Sequence, residues 1–205
     1  MGNWVATEIV GMDRVEEQLG SLCTQNGLNT FPYQVQNSHG ISNKHSFDKA
    51  ELEICGNGDL FGSGNAQLPS PPLLMLDRIL DIQSGGGDFN RGYATAELDV
   101  EPNNWFFNHH FRGDPVMPGC FLIESLWQLT GFHMAWSGYK GKGRVLESGR
   151  TRFIEPVLQV NQTLSIRIHV RKVLGNKNPI YISNGIISCD EIHICRSESI
   201  IVGLW

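Results

Sequence analysis

The segment from Cys120 to Trp136 constrains the fold more than any other part of the chain, because as a helix it would be apolar on nearly every side. A helix of that composition is normally buried on most of its faces. Further segments alternate apolar and polar residues, which is the pattern of half-buried strands. They are Tyr93–Val100, Arg144–Phe153, Leu164–Val173, Ile180–Cys189 and Ile192–Leu204. Since strands precede and follow the buried helix, we predict an α+β fold in which an antiparallel sheet wraps around a long central helix.

The region before Tyr93 has weaker patterns. A short helix is predicted over Asp48–Ile54, and a loop rich in Gly and Pro follows it. Residues 73–82, LLMLDRILDI, fit a helix or a strand, because their apolar positions do not settle the period.

The N-terminal residues differ from the rest of the chain. A short possible helix over 12–22 is followed by the polar, turn-rich run TQNGLNTFPYQVQNSHGISNKHS. We predict an N-terminal extension or linker over 1–45 and one domain over 46–205. The alternative is an arm that packs on this domain, because apolar residues alternate over 31–35 as they do in a short strand.

The composition indicates an ordinary globular protein, with 40% hydrophobic and 18% charged residues. The net charge of -5 argues against a broad nucleic-acid surface, and no apolar run reaches the roughly 18 residues of a membrane span. The cysteines are odd in number and irregularly spaced, and the chain begins without a run typical of a signal peptide. We therefore expect reduced thiols and a cytoplasmic protein.

Residues 109–128, HHFRGDPVMPGCFLIESLWQ, combine a histidine, a glycine at a helix start and a carboxylate within one short span. If Gly119 begins the helix, the free N–H groups there could polarise a thioester carbonyl. Gln128 lies one turn after Glu124 and could orient its carboxyl group. This pattern predicts a β-elimination in which His110 removes a proton as the base and Glu124 protonates the departing hydroxyl. The apolar neighbours would form a dry tunnel for an acyl chain.

Both catalytic assignments have structural alternatives. His110 could simply fix the conformation of its loop. A carboxyl group in an apolar helix is costly unless it is paired or protonated, and Glu124 could pair with Arg150 or Arg152 for structural reasons alone.

The other polar residues near this span receive structural interpretations. His109 is expected at the loop surface and His133 in packing. Cys120 is included among the substrate-binding candidates; it could be a thiolate nucleophile at the helix start, and a small residue needed for close packing is the favoured alternative. The spacings match neither CxxC nor HExxH, so we predict no metal site.

A family resemblance covers more than three quarters of the chain, from about Ser46 to Leu204. The sequence resembles the bacterial β-hydroxydecanoyl acyl-carrier-protein dehydratase/isomerase family in the motifs GNGDLFG, QLPSPPLLMLDRI, GGDFNRGYATAELD, WFFNHHFRGDPVMPGC, WQLTGF, GKGR and IVGLW. The resemblance implies a hot-dog fold and a homodimer with two active sites at the interface, each with a histidine and a carboxylate from different protomers. It also implies a 3-hydroxyacyl substrate carried on the phosphopantetheine of an acyl carrier protein, and no resident cofactor.

The resemblance also assigns individual residues. The family's catalytic histidine matches His110, the backbone donor to the thioester carbonyl matches Gly119, and the carbonyl that holds the histidine matches Val116. The helper glutamine matches Gln128. The isomerase branch has aspartate where this chain has Glu124, and glutamate is similar to the residue of the dehydratase-only branch. We therefore expect dehydration to the trans-2-enoyl thioester, and leave open its isomerisation to the cis-3 product.

A cluster of basic residues, Arg171, Lys172 and Lys177, is the predicted contact for the acidic carrier protein. A solvated strand end is the alternative interpretation. Two other functions also stay open at this stage. One is thioester hydrolysis by a hot-dog thioesterase, and the other is a non-catalytic domain that binds acyl-carrier partners. The sequence does not give the length of the acyl chain.

Overall fold

The structure is a computed structural model, and it describes residues 43–175 and 178–205. The helices are α1 (Lys49–Gly56) and α2 (Gly119–Trp136), and a short 3-10 helix spans Trp105–Asn108. The strands are β1 (Arg78–Gln83), β2 (Tyr93–Val100), β3 (Gly143–Ser148), β4 (Thr151–Phe153), β5 (Gln162–Leu174), β6 (Ile180–Cys189) and β7 (Ile192–Leu204). The helix predicted over 12–22 and the alternative strand over 31–35 lie outside the described residues. The boundary near residue 45 stays a prediction.

All seven strands form one antiparallel sheet, in the order β1-β2-β5-β6-β7-β3, and β4 also pairs with β7. The alternating patterns located β2, β5, β6 and β7 correctly, and the predicted α+β architecture is confirmed. Residues 73–82 adopt the strand alternative only from Arg78 onward.

The single strand predicted over Arg144–Phe153 is wrong, because the structure divides it into β3 and β4. The interruption lies at Gly149, whose N–H donates to Ser199 O at 3.1 Å. A Cβ atom at Gly149 would lie 2.4 Å from the carbonyl oxygen of Glu198. The backbone of β7 therefore approaches too closely for a side chain at this position.

Helix α2 packs on the inner face of the sheet and provides the centre of the core. Leu126, Leu129 and Met134 on the helix are fully buried, as its nearly uniform apolar composition requires. The facing strand β5 alternates strictly, with every second residue from Leu164 to Val170 buried against the helix. The helix ends at Trp136 and is capped by Ser137, and the next residue, Gly138, has a left-handed backbone conformation.

Helix α1 begins at a capping box. The Asp48 side chain accepts from the backbone N–H of Glu51, and the Glu51 side chain accepts from the backbone N–H of Asp48. Leu52 on this helix is fully buried, and Phe47 forms an isolated bridge with Ile79 of β1. These contacts fix the start of the loop over 57–72, which forms one wall of the cavity described below.

Strand β3 lies at one edge of the sheet and pairs only with β7 among the described strands. Its side chains are unusually apolar for such a position, since Val145 and Leu146 are 45% and 44% exposed. Edge strands of this kind present unpaired backbone groups and an apolar surface to another chain.

Candidate active site

His110 lies two residues after the end of the 3-10 helix and is held in place by hydrogen bonds at both its backbone and its ring. The His110 N–H donates to Phe106 O at 3.0 Å, and its carbonyl accepts from Val116 N at 2.8 Å. Its Nδ1 lies 3.0 Å from Val116 O. Because a carbonyl can only accept, Nδ1 carries the proton and Nε2 keeps its lone pair. The half-buried imidazole is therefore arranged as a hydrogen-bond acceptor and base at Nε2.

Gly119 is the first residue of α2, and no side chain within the described part of the chain caps the helix start after Pro118. The absence of a side chain at Gly119 has a packing reason, because a Cβ atom there would lie 2.9 Å from Cε1 of Phe153. The first N–H groups of the helix are thus free of side-chain acceptors, and they carry the positive end of the helix dipole.

The Glu124 carboxyl group is oriented by Gln128, one turn later on α2. Gln128 Nε2 donates to Glu124 Oε1 at 3.0 Å and to Leu73 O at 2.8 Å, while Gln128 Oε1 accepts from Met75 N at 2.9 Å. These bonds fix which side of the amide faces Glu124. No arginine lies within ion-pair distance of Glu124 in the described ranges, so the alternative pairing with Arg150 or Arg152 is not formed there.

Glu124 and Gln128 border a cavity of about 150 Å³ that lies between α2, the loop over 57–72 and the start of β3. Apart from these residues, much of its wall is apolar and includes Phe61, Ala66, Leu68, Phe132 and Val202. Such a wall excludes water and suits a hydrocarbon chain.

Trp127 also lines this cavity, and its indole N–H is buried without a hydrogen-bond partner among the residues that the structure describes. This residue was not among the sequence-based candidates. Its position three residues after Glu124 could have indicated it, because residues three apart share one face of a helix. Leu73 and Met75, which hold Gln128, could not have been found this way, since they contribute only backbone groups.

The predicted catalytic residues form two separate clusters within one chain. His110 and Val116 form the first, and Glu124 and Gln128 form the second. His110 does not line the cavity that Glu124 borders. The two clusters therefore do not share this cavity within one chain.

The remaining candidates near the helix are divided between surface and core. His109 is exposed. His133 is fully buried, with Nε2 at 2.9 Å from Gln83 O and Nδ1 at 3.3 Å from Ser137 Oγ. Burial lowers the pKa of His133 to about 4, so the ring is neutral and belongs to the packing, as predicted. The packing interpretation of Cys120 is wrong, because this thiol is exposed at the first turn of α2, where its side chain points out of the core.

Two residues of the predicted basic cluster lie at the end of β5, and Lys177 lies outside the described residues. Arg171 is half-buried and its Nη1 donates to Ser199 Oγ at 3.2 Å, whereas Lys172 is exposed. This strand end pairs with β6 next to Tyr181, whose ring centroid lies 5.7 Å from that of His133. Arg171 and Lys172 therefore lie near Tyr181, which contacts the C-terminal half of α2 at His133. Gly119 at the helix start is about 21 Å from His133 along the helix axis.

Two general findings concern the described residues only. No three His, Cys, Asp or Glu side chains converge there as ligands of a metal ion would. Neither of the two helices in residues 43–175 and 178–205 combines the length and the hydropathy that crossing a bilayer requires.

The comparison with protein families matches residues 68–198 to the FabA-like domain. This match covers more than half of the chain, and the chain therefore belongs to the FabA-like domain family. Its fold is the hot-dog fold, an antiparallel sheet packed around a central helix, as the resemblance implied.

Solved structures with similar folds have low sequence identity to this chain. The dehydratase heterocomplex ApeI:P from Xenorhabdus doucetiae is 19% identical, with a TM-score of 0.48 over 67% of this chain and 88% of that chain. The uncharacterized protein PH1136 from Pyrococcus horikoshii is 14% identical, with a TM-score of 0.47 over 64% and 84%. A hypothetical thioesterase with coenzyme A from Streptococcus pneumoniae TIGR4 is 15% identical, with a TM-score of 0.46 over 62% and 84%. At these identities the likeness concerns the fold alone.

Proposed function

We propose that this protein is a dehydratase that converts 3-hydroxyacyl thioesters, carried on an acyl carrier protein, to trans-2-enoyl thioesters. The observation that carries the proposal is the pair of oriented groups: a histidine whose Nε2 is left as a base by the Val116 bond, and a carboxyl group that Gln128 orients at the rim of an apolar cavity. Membership of the FabA-like domain family supports it.

The elimination needs a base, an acid and a group that stabilises negative charge on the thioester oxygen. His110 Nε2 removes a proton from C2, and the electron pair of that C–H bond forms the C2–C3 double bond. Protonated Glu124 gives its proton to the hydroxyl at C3, and water leaves. The Gly119 N–H at the uncapped helix start stabilises the enolate-like oxygen between these events. Proton exchange with solvent then returns His110 and Glu124 to their starting states.

We propose that a complete site contains two protomers. His110 is not among the described residues that line the cavity of Glu124, and we propose that a second copy supplies the other member of the pair. The exposed apolar residues Val145 and Leu146 on edge strand β3 support pairing between two copies. An elimination site at such an interface is also shielded from water on both sides.

The identity of the acid bears on the product. Glutamate is one methylene longer than aspartate, and Gln128 holds the Glu124 carboxyl group from a fixed position on the same helix. We propose that this longer acid reaches the hydroxyl at C3 and serves dehydration. A second proton transfer at C4, which isomerisation to the cis-3-enoyl product requires, is not part of the proposal.

The carrier protein is proposed to contact Arg171, Lys172 and Lys177. Attraction between this basic cluster and an acidic carrier would raise the association rate, and it would weaken with ionic strength. A small pantetheine thioester lacks the carrier's charges and would not depend on the cluster.

The direct test is incubation of the full chain with a medium-chain 3-hydroxyacyl pantetheine thioester, with products resolved by mass spectrometry and chromatography of the enoyl isomers. We expect the trans-2-enoyl thioester alone. A cis-3 product would add isomerase activity to the proposal. Release of the free acid without loss of water would contradict dehydration and indicate a thioesterase. Binding without any product would indicate a carrier-binding domain.

A further inference from the structure

Gly131 is a residue that helix α2 has no local reason to contain. It lies in the interior of the helix, where its backbone is helical, and glycine there disfavours the helix by roughly 1 kcal/mol relative to alanine. Outside the helix's own backbone, a Cβ atom at Gly131 would meet one atom of the described residues within 4 Å, Cγ1 of Val202 at 4.0 Å. Neither a left-handed backbone nor close packing therefore requires glycine at this position.

Gly185 shows the opposite situation. A Cβ atom there would lie 2.6 Å from Cδ2 of Leu126 and 2.8 Å from Cδ1 of Ile200. The close approach of β6 to helix α2 thus explains Gly185. At Gly131 the space that a side chain would fill is open.

The open space at Gly131 belongs to the cavity that Glu124 borders. Gly131 follows Glu124 by seven residues, which is two helical turns, so both face the same side of α2 about 10 Å apart. A chain whose C3 atom lies at Glu124 and whose tail follows the helix passes Gly131. The wall beside it is formed by Phe132 and Val202.

We propose that Gly131 determines the length of acyl chain that the protein accepts, because its missing side chain leaves the far part of the cavity open to the tail. This inference rests on the proposed function, since it places the reacting carbon at Glu124. The substrate class that follows is a thioester with an unbranched tail that extends beyond two helical turns of α2. Short-chain thioesters end before they reach Gly131.

The experiment uses the full chain and a series of acyl-pantetheine analogues, from butanoyl to hexadecanoyl, in which an amide replaces the thioester. Their binding is measured by calorimetry, so that no turnover is needed. The variants are Gly131→Ala and Gly131→Leu. Gly143→Ala adds a methyl group to the opposite wall, where a Cβ atom would meet Ala66 and Leu204 at 3.8 Å. Gly85→Ala is the control, because its Cβ atom would meet no atom of the described residues within 4 Å and Gly85 does not line the cavity.

We expect Gly131→Ala to be at least as stable as the original chain in urea unfolding, since alanine favours the helix. It should nevertheless bind the longest analogues about tenfold more weakly, as overfilling an apolar site does, while binding of the shortest analogues changes less than about twofold. Gly131→Leu should move the length limit to shorter chains, and Gly143→Ala should act in the same direction. Gly85→Ala should leave the length profile unchanged.

Loss of binding that is equal at all chain lengths, or an unchanged profile in Gly131→Ala, would overturn the assignment. So would a wild-type chain that binds no analogue. The proposed function fails separately: a length profile that Gly131→Ala shortens, in a protein that does not dehydrate the 3-hydroxyacyl thioester, would leave the pocket assigned and the reaction rejected. Because the alanine variant adds one methyl group and is expected to fold, misfolding of the leucine variant would not decide the question.

Discussion

The two ends of helix α2 each have a histidine nearby, and the two histidines are used differently. At the C-terminal end His133 is fully buried and both ring nitrogens have partners, Gln83 O and Ser137 Oγ. Near the N-terminal end His110 is half-buried, and among the residues that the structure describes it is Nδ1 alone that has a partner, Val116 O. Both hydrogen-bonding positions of the His133 ring are therefore occupied by groups of the fold. The arrangement of His110 leaves Nε2 available for chemistry, and this free position distinguishes a catalytic candidate from a core histidine.

The same contrast applies to the two helix ends themselves. The C-terminal end is covered by Trp136 and Tyr181, which are 5% and 3% exposed. At the N-terminal end the first turn lacks a side-chain cap, and Phe111 and Phe153 near it are 55% and 54% exposed. Large exposed apolar side chains at a helix start are typical of surfaces that contact a ligand or another chain.

The largest expected effect comes from removing either member of the proposed catalytic pair, His110 and Glu124. His110→Ala and Glu124→Gln should each lower the dehydration rate by about a hundredfold or more, as the loss of a general base or acid does. Rates are measured with a 3-hydroxyacyl pantetheine thioester, and circular dichroism checks the fold. The matched control is His133→Gln, whose soluble, folded fraction should keep most of its specific activity. Substantial activity in either catalytic variant would contradict the mechanism.

The C-terminal end should determine part of the pH dependence of stability. His133 has a pKa of about 4 in the folded chain against 6.5 for an ordinary histidine, so the unfolded chain takes up a proton at a higher pH than the folded chain. The contribution of His133 to the free energy of unfolding should therefore be fully present above pH 6.5. The free energy of unfolding should fall by about 3 kcal/mol as the pH decreases toward 4. Urea unfolding at several pH values measures this loss.

The corresponding control is again His133→Gln, which removes the titrating group. This variant should be less stable at neutral pH and should show a shallower decrease between pH 6.5 and 4, because the remaining slope comes from other groups. An equal slope in both proteins would show that His133 does not resist protonation in the folded state.

A smaller effect is expected from the residue that connects the acid to the rest of the fold. Gln128→Met keeps the volume and removes the amide bonds to Glu124, Leu73 and Met75. We expect kcat to fall by about tenfold, which corresponds to roughly one hydrogen bond to the acid, with little change in KM. A loss confined to KM would assign Gln128 to substrate binding, and a loss of stability without any change in kcat would assign it to structure.

The smallest effect concerns the basic cluster beside the C-terminal half of α2. Lys172→Ala should raise KM for a carrier-bound substrate by a few-fold at low salt and leave KM for the pantetheine thioester unchanged. The control is Lys142→Ala, which removes an equal charge from the exposed loop before β3 and should leave both KM values unchanged. If the effect is absent, or equal for both substrates, carrier binding does not use Lys172.

The sequence predicted the elements of the fold well wherever the side chains themselves carry the pattern. The alternation of β2, β6 and β7 located the bounds of these strands, and the apolar run over 120–136 located α2 to within one residue. The division of the strand over Arg144–Phe153 was missed. At Gly149, where the strand is interrupted, the backbone of Glu198 leaves no room for a side chain, and this residue is far along the chain. Pattern reasoning has no access to such long-range backbone contacts.

For the candidate site, the sequence supplied the residue types, and the tertiary structure supplied the relations among them. The pattern HHFRGDPVMPGCFLIESLWQ sufficed to choose His110, Gly119, Glu124 and Gln128, because their spacing on one loop and one helix is local. Only the folded chain shows that the backbone groups of Leu73 and Met75 bind Gln128. It also shows that His110 does not line the cavity that Glu124 borders. The hydrogen bonds of Gln128 join residues that are more than fifty positions apart in the sequence. Their free energies depend on distances in the folded chain, which no local sequence pattern contains.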